Sequence, residues 1–227
     1  AGRLANAEKT VLYVSGEESA AQIASRAKRL GLAAESIWLL SETDLSKILE
    51  ARGKASPGVL ILDSIQTVFH PALAGAAGSV AQVRDCAAEL VRAAKGSGMM
   101  VFILGHVTKD GDLAGPRMLE HLVDTVLYFD SDQHDLLRVL RVQKNRFGPS
   151  SELGLFEMGE TGLAGVMDPA GYFIAERSLQ GAPGRAVSVV LEGSRPMLVE
   201  VQALVTPTRY PIPRRMATGL DQNRTLV

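Results

Sequence analysis

Short apolar runs recur along the first half of the chain, separated by stretches with helical spacing. Val11–Ser15 (VLYVS), Ile37–Leu40, Val59–Leu62 (VLIL) and Met99–Leu104 each predict a buried strand. Between the first two, residues 18–30 carry Ile23, Ala27 and Leu30 at helical spacing and stop at Gly31. Ser41, with Asp44 three residues on, resembles a capping box and predicts the start of a second helix, which Pro57-Gly58 ends. A Gly/Ala-rich loop follows at 71–78. Ser79 with Gln82 then reads as a capping box for a long helix, with Val83, Cys86, Ala87, Leu90, Val91 and Ala94 on one face and Gly96 and Gly98 at its end.

The order is strand, helix, strand, helix, strand, helix, strand. Strands apolar on both faces predict a parallel sheet covered on both sides, and the helices are long enough for its crossovers. The second half alternates instead. Thr125–Phe129, Leu136–Gln143 and Leu153–Met158 predict antiparallel strands, with a tight turn at 159–162 (GETG). Residues 180–184 (QGAPG) read as a linker, so the expected domains are 1–179 and 185–227. In the second, Ala186–Leu191 and Met197–Val205 flank EGSRP and predict a hairpin. The fold class is α/β, a mostly parallel sheet flanked by helices, followed by part of a smaller α+β domain.

Composition narrows the function. With 227 residues, 46% of them apolar and 22% charged, the chain can bury a core. A net charge of −1 gives no global field for nucleic acid, so DNA contact falls to local loops or to symmetry in an assembly. The one cysteine, Cys86, excludes an internal disulfide and a four-cysteine zinc site within these residues, and suits a reducing cytosol. No signal peptide and no membrane-spanning run is found, so a cytoplasmic location with no membrane partner is expected.

The chemistry concentrates at strand ends. In VLILDS, four apolar residues bury a strand and Asp63 emerges at its carboxyl end, where open α/β sheets bind ligands. A carboxylate there suits Mg²⁺ held through water beside nucleotide phosphates. Gly16-Glu17-Glu18 follows the first strand, so a carboxylate faces the same crevice and can polarise an attacking water. The bland alternative is an acid-rich helix N-terminus. His106 ends a third strand and can report a γ-phosphate to the charged, Gly-rich loop after it. Lys144 and Arg146, two residues apart in KNRFG, leave a strand on one face and suit a phosphate. The loops 69–78, with nearby His70, and 107–117, with Lys109 and Arg117, are the DNA candidates, through backbone rather than base contact.

Taken in order, VLYVSGEES, LSETDLSKI, LILDSIQT, GSVAQVRD, GHVTKDGDLAGPRMLEH, KNRFG and ELGLFEM resemble the bacterial RadA (Sms) family of DNA-repair proteins along essentially the whole chain. The resemblance implies a RecA-like ATPase using ATP and Mg²⁺, preceded by a zinc-binding module and followed by a domain similar to that of Lon protease. It implies a hexameric ring helicase that processes branched recombination intermediates beside a RecA-type recombinase, with single-stranded or branched DNA as partner. By position, Asp63 takes the Walker B role and Glu17 the catalytic glutamate, with Glu18 the alternative. His106 takes the γ-phosphate sensor. Lys144 and Arg146 reach a neighbouring subunit's ATP, and the two loops face DNA. Residues 185–227 match the start of the Lon-like domain, where Arg209, Arg214, Arg215 and Arg224 are basic candidates.

The sequence holds no G-x-x-x-x-G-K-[ST], which in the family lies just before the position of Ala1, and no zinc module. These 227 residues alone are therefore expected to bind ATP weakly or not at all. The alternative function is a non-catalytic DNA-binding and assembly module. A peptidase would need a serine–lysine pair that in Lon falls beyond this stretch.

Overall fold

The computed structural model describes residues 1–5, 10–32, 37–106, 118–131, 137–168, 183–193, 195–209 and 214–220. Contacts divide the chain into two compact units, Ala1–Met167 with Gly193–Arg195, and Asp168–Glu192 with Pro196–Val227.

The first unit is built on four parallel strands, β1 (Val11–Ser15), β2 (Ile37–Ser41), β3 (Val59–Asp63) and β4 (Met100–Ile103), in the order β2-β1-β3-β4. Alternation sends Leu12, Val14, Leu60 and Leu62 to one face. There they meet Leu45 and Ile48 of α3 (Leu45–Ala55) and Val83, Cys86, Ala87 and Leu90 of α4 (Val80–Ser97). The other face carries Val11, Val59 and Ile61, packed under Ala5 of the short α1 (Gly2–Ala5). This face is covered at its centre. Among the described residues its edges are open, with Leu39, Met100 and Phe102 exposed. The expectation of a fully covered sheet therefore holds for β1 and β3 but not for the edge strands.

Two helix starts differ from the local code. Ser41 is the last residue of β2, paired with Ser15, and the cap of α3 is Asp44, whose carboxylate accepts from Ser46 N at 2.9 Å. At α4 the N-cap is Ser79 as expected, but its hydroxyl is buried without a partner and Gln82 does not complete a box. Gln82 is drawn into the preceding loop instead. The genuine capping box lies at α2 (Ala20–Arg29), where Ser19 and Gln22 bond reciprocally.

A second sheet in the first unit has four antiparallel strands, β5 (Thr125–Ser131), β6 (Leu137–Asn145), β7 (Leu153–Gly159) and β8 (Gly162–Gly165), in chain order. The predicted turn at 159–162 joins β7 to β8, and Gly162 adopts φ +106°, a conformation open to glycine. In the second unit, β9 (Arg185–Glu192) pairs with β10 (Arg195–Gln202).

Candidate active site at the carboxyl ends of the parallel strands

The central strand β3 ends in Asp63, opposite Ser15 of β1. The chain then turns through Ser64 and a single 3₁₀ turn, Ile65–Thr67. Gly16 allows this turn to lie against the end of β1. A Cβ at Gly16 would stand 2.0 Å from Thr67 Oγ1 and 2.7 Å from its Cβ, so a side chain there would force the turn away. Thr67 Oγ1 donates to Ser64 O at 2.8 Å, and Ile65 N donates to Leu104 O at 2.9 Å. The ends of β1, β3 and β4 are thereby fastened together.

On this scaffold two of the expected residues, Glu17 and His106, are in direct contact. Glu17 Oε1 accepts from Ser64 Oγ at 2.5 Å and lies 3.1 Å from His106 Nε2. The Ser64 hydroxyl above all holds the Glu17 carboxyl below the usual glutamate value; burial opposes it, and His106 adds to the lowering. Glu17 is thus an ionised acceptor near neutral pH. Its side chain is 42% exposed, so it is open to water. Glu18 is turned away onto α2, where it pairs with Arg26. Between the two glutamates, Glu17 is the one at the strand ends.

Asp63, which precedes Ser64 in the chain, is held by a contact that sequence reading missed. Tyr13 Oη donates to Asp63 Oδ2 at 2.5 Å. Burial, and then the Asp63 carboxylate, push the phenol well above its ordinary value, so the hydroxyl keeps its proton. Two further residues were not anticipated. Ser64 is fully buried and bridges β3 to Glu17. Gln66 Nε2 donates to His106 O at 3.1 Å, tying the turn after β3 to the last described residue before 107–117.

The donor set fits a hydrated Mg²⁺ beside a nucleotide. That ion keeps several waters and takes one or two carboxylates plus phosphates, so it needs no all-protein cage. Asp63 supplies a strand-end carboxylate with one oxygen engaged by Tyr13. Among the described residues no group of three or more His, Cys, Asp or Glu is placed to hold a metal ion, so Asp63 would be the protein carboxylate toward it. When bound, the ion would neutralise charge on the phosphates.

No protein-family model matches the chain. The DNA repair protein RadA of Bacillus subtilis (strain 168) is 51% identical over 222 residues, 98% of this chain. The DNA repair protein RadA of Streptococcus pneumoniae (strain ATCC BAA-255 / R6) is 53% identical over 215 residues, 95% of this chain. The chain belongs to the RadA family. It spans about half the length of these RadA relatives, 48% and 51% respectively. Among solved structures, a KaiC-like protein from the archaeon Pyrococcus horikoshii OT3 aligns with a TM-score of 0.55 at 16% identity, over 71% of this chain and 78% of that one. That likeness supports the RecA-like α/β fold.

Lys144, Arg146 and His70, also implied by the RadA resemblance, are engaged by other partners. Lys144 and Arg146 face the segment 118–124. Lys144 Nζ donates to Glu120 O at 2.5 Å and Val123 O at 2.8 Å, and Arg146 pairs with Asp124 Oδ1 at 3.0 Å. His70 is folded back on its own loop. Its Nδ1 accepts from Ala72 N at 3.1 Å, which leaves the proton on Nε2, 3.6 Å from Glu89 Oε2. Gln82, 1% exposed, fixes the same loop: Oε1 accepts from His70 N at 2.8 Å, and Nε2 donates to the carbonyls of His70, Leu73 and Gly75 at 3.0–3.3 Å. Lys109 and Arg117 lie outside the described residues, as does Arg224. Arg209, Arg214 and Arg215 are exposed beyond β10.

Proposed function

We propose that the protein to which this chain belongs is a DNA-stimulated ATPase of recombination repair. It would act as a ring-forming motor on single-stranded or branched DNA, working beside a RecA-type recombinase. The observation that carries the reading is the gathering of Glu17, Ser64 and His106 beside Asp63 at the carboxyl ends of three neighbouring parallel strands. That is the crevice where α/β sheets bind ligands. The family name of the relatives supports the repair context.

In this reading Asp63 holds Mg²⁺ through water. Glu17 is the base that orients the attacking water, since it is ionised and partly exposed. His106, already bonded to Glu17, senses the γ-phosphate. Through Gln66 its backbone is tied to the turn after β3. Lys144 and Arg146 are proposed to act on the ATP of a neighbouring subunit, and loops 69–78 and 107–117 to meet DNA phosphates. Residues 185–227 would begin a Lon-like scaffold domain, and the location would be cytoplasmic.

The test is ATP turnover by the full-length protein with and without single-stranded DNA, together with branch migration on a three-strand substrate. Turnover that rises with DNA and drives branch movement supports the motor. DNA binding without any ATP turnover would instead favour the assembly-module reading.

A further inference from the structure

Tyr13 sits on the second strand-order position of the sheet, paired with Ile61, two residues before Asp63. Residues two apart on a strand share a face, so the Tyr13 ring and the Asp63 carboxylate rise from the same side of neighbouring strands. The hydroxyl then meets Oδ2 at 2.5 Å. This is also the face on which Ala5 of α1 packs over Val11, Val59 and Ile61.

We infer that Tyr13 is a positioning residue for the metal-facing aspartate. Its hydroxyl fixes one carboxylate oxygen, so that the other is presented in a single orientation to the water shell of Mg²⁺. The inference rests on the ATPase reading above. A free aspartate turns about its terminal torsion, which is broad and two-fold. A short hydrogen bond to a charged acceptor removes that freedom. The ring itself is half-buried between the sheet and its covering residues, so the donor is carried on a restrained side chain. Tyr13 touches neither nucleotide nor attacking water in this reading. It acts only through Asp63.

The test uses full-length protein. Y13F keeps the ring and deletes only the donor. The concentration of Mg²⁺ for half-maximal ATP turnover should rise about three- to tenfold, while turnover at saturating Mg²⁺ stays within about twofold. Mg²⁺-dependent binding of a fluorescent ATP analogue, read without turnover, should shift by the same factor. In a D63A background, Y13F should have no further effect on that binding. A purely structural tyrosine would instead lower thermal stability and maximal turnover together, and leave the Mg²⁺ dependence unmoved. If Y13F does not fold, the tyrosine Raman doublet gives the second measurement: D63A must lose a strong phenol-donor signature present in the wild type. Unchanged Mg²⁺ dependence in Y13F, or an unchanged doublet in D63A, overturns the inference. Absence of ATP turnover and of Mg²⁺-dependent analogue binding in the wild type would overturn the ATPase reading itself, which is a different outcome.

Discussion

Cys86 shows how one side chain can be chemically silenced by its position. It is fully buried on the inner face of α4, and burial pushes its thiol up to about 11. A buried neutral thiol is inert because the thiolate is the reactive form. The native protein should therefore resist iodoacetamide at pH 8 and react only after unfolding; rapid native labelling would contradict the packing. The linked stability follows in sign. The folded value lies above the ordinary 9.0, so the neutral thiol contributes below that pH, and its contribution is lost as pH rises through about 11. At the same scale, Arg146 offers a clean separation of roles. Its pair with Asp124 is half exposed on both sides, so removing it should cost less than about 1 kcal/mol. If Arg146 also serves a neighbouring subunit, R146A should keep its melting temperature and lose ATP turnover. Normal turnover in both R146A and K144A would remove the cross-subunit role.

At the scale of elements, the loop before α4 is the most informative. Serine followed three residues later by glutamine is a valid capping box, and at α2 the chain uses it. At α4 the same local code fails because the 70–75 loop offers Gln82 an acceptor, a donor and burial at once. A tertiary demand outcompetes a local one. Gln82→Ala would strand several loop backbone groups and should lower stability by about 2–4 kcal/mol, read as a fall in the unfolding midpoint. A variant as stable as the parent would show that the loop is not held from α4. The strand ends were legible for the opposite reason. Asp63, Glu17 and His106 follow apolar runs, and the parallel-sheet rule places such residues at one edge without any knowledge of register. Tyr13 and Ser64 needed that register, since Tyr13 is read as an ordinary core aromatic until β1 is paired with β3.

At the scale of the molecule, the parallel sheet and the family were both legible, the first from alternation of runs and the second from contiguous motifs. The open edges of the second face were not, because a run of apolar residues signals burial without saying what covers it. Here Leu39, Met100 and Phe102 remain exposed beside a well-covered centre. The balance of charge is equally uninformative about a motor. With −1 overall, these 227 residues carry no global field for nucleic acid, so the DNA contact proposed above would rest on local loops or on repetition of subunits. Loop 69–78 is braced by Gln82 and His70, which suits a rigid presentation of backbone rather than a flexible basic arm.

The central claim is that Glu17, held by Ser64 and His106, is the base at a nucleotide site on the strand ends. Steady-state ATP turnover of full-length E17Q and E18Q, measured with saturating single-stranded DNA, tests it most directly. E17Q should still bind ATP and lose turnover by about 10²–10⁴-fold. E18Q, which breaks only the exposed pair with Arg26, should remain within about twofold of the parent. Parental turnover in E17Q, or loss confined to E18Q, would contradict it.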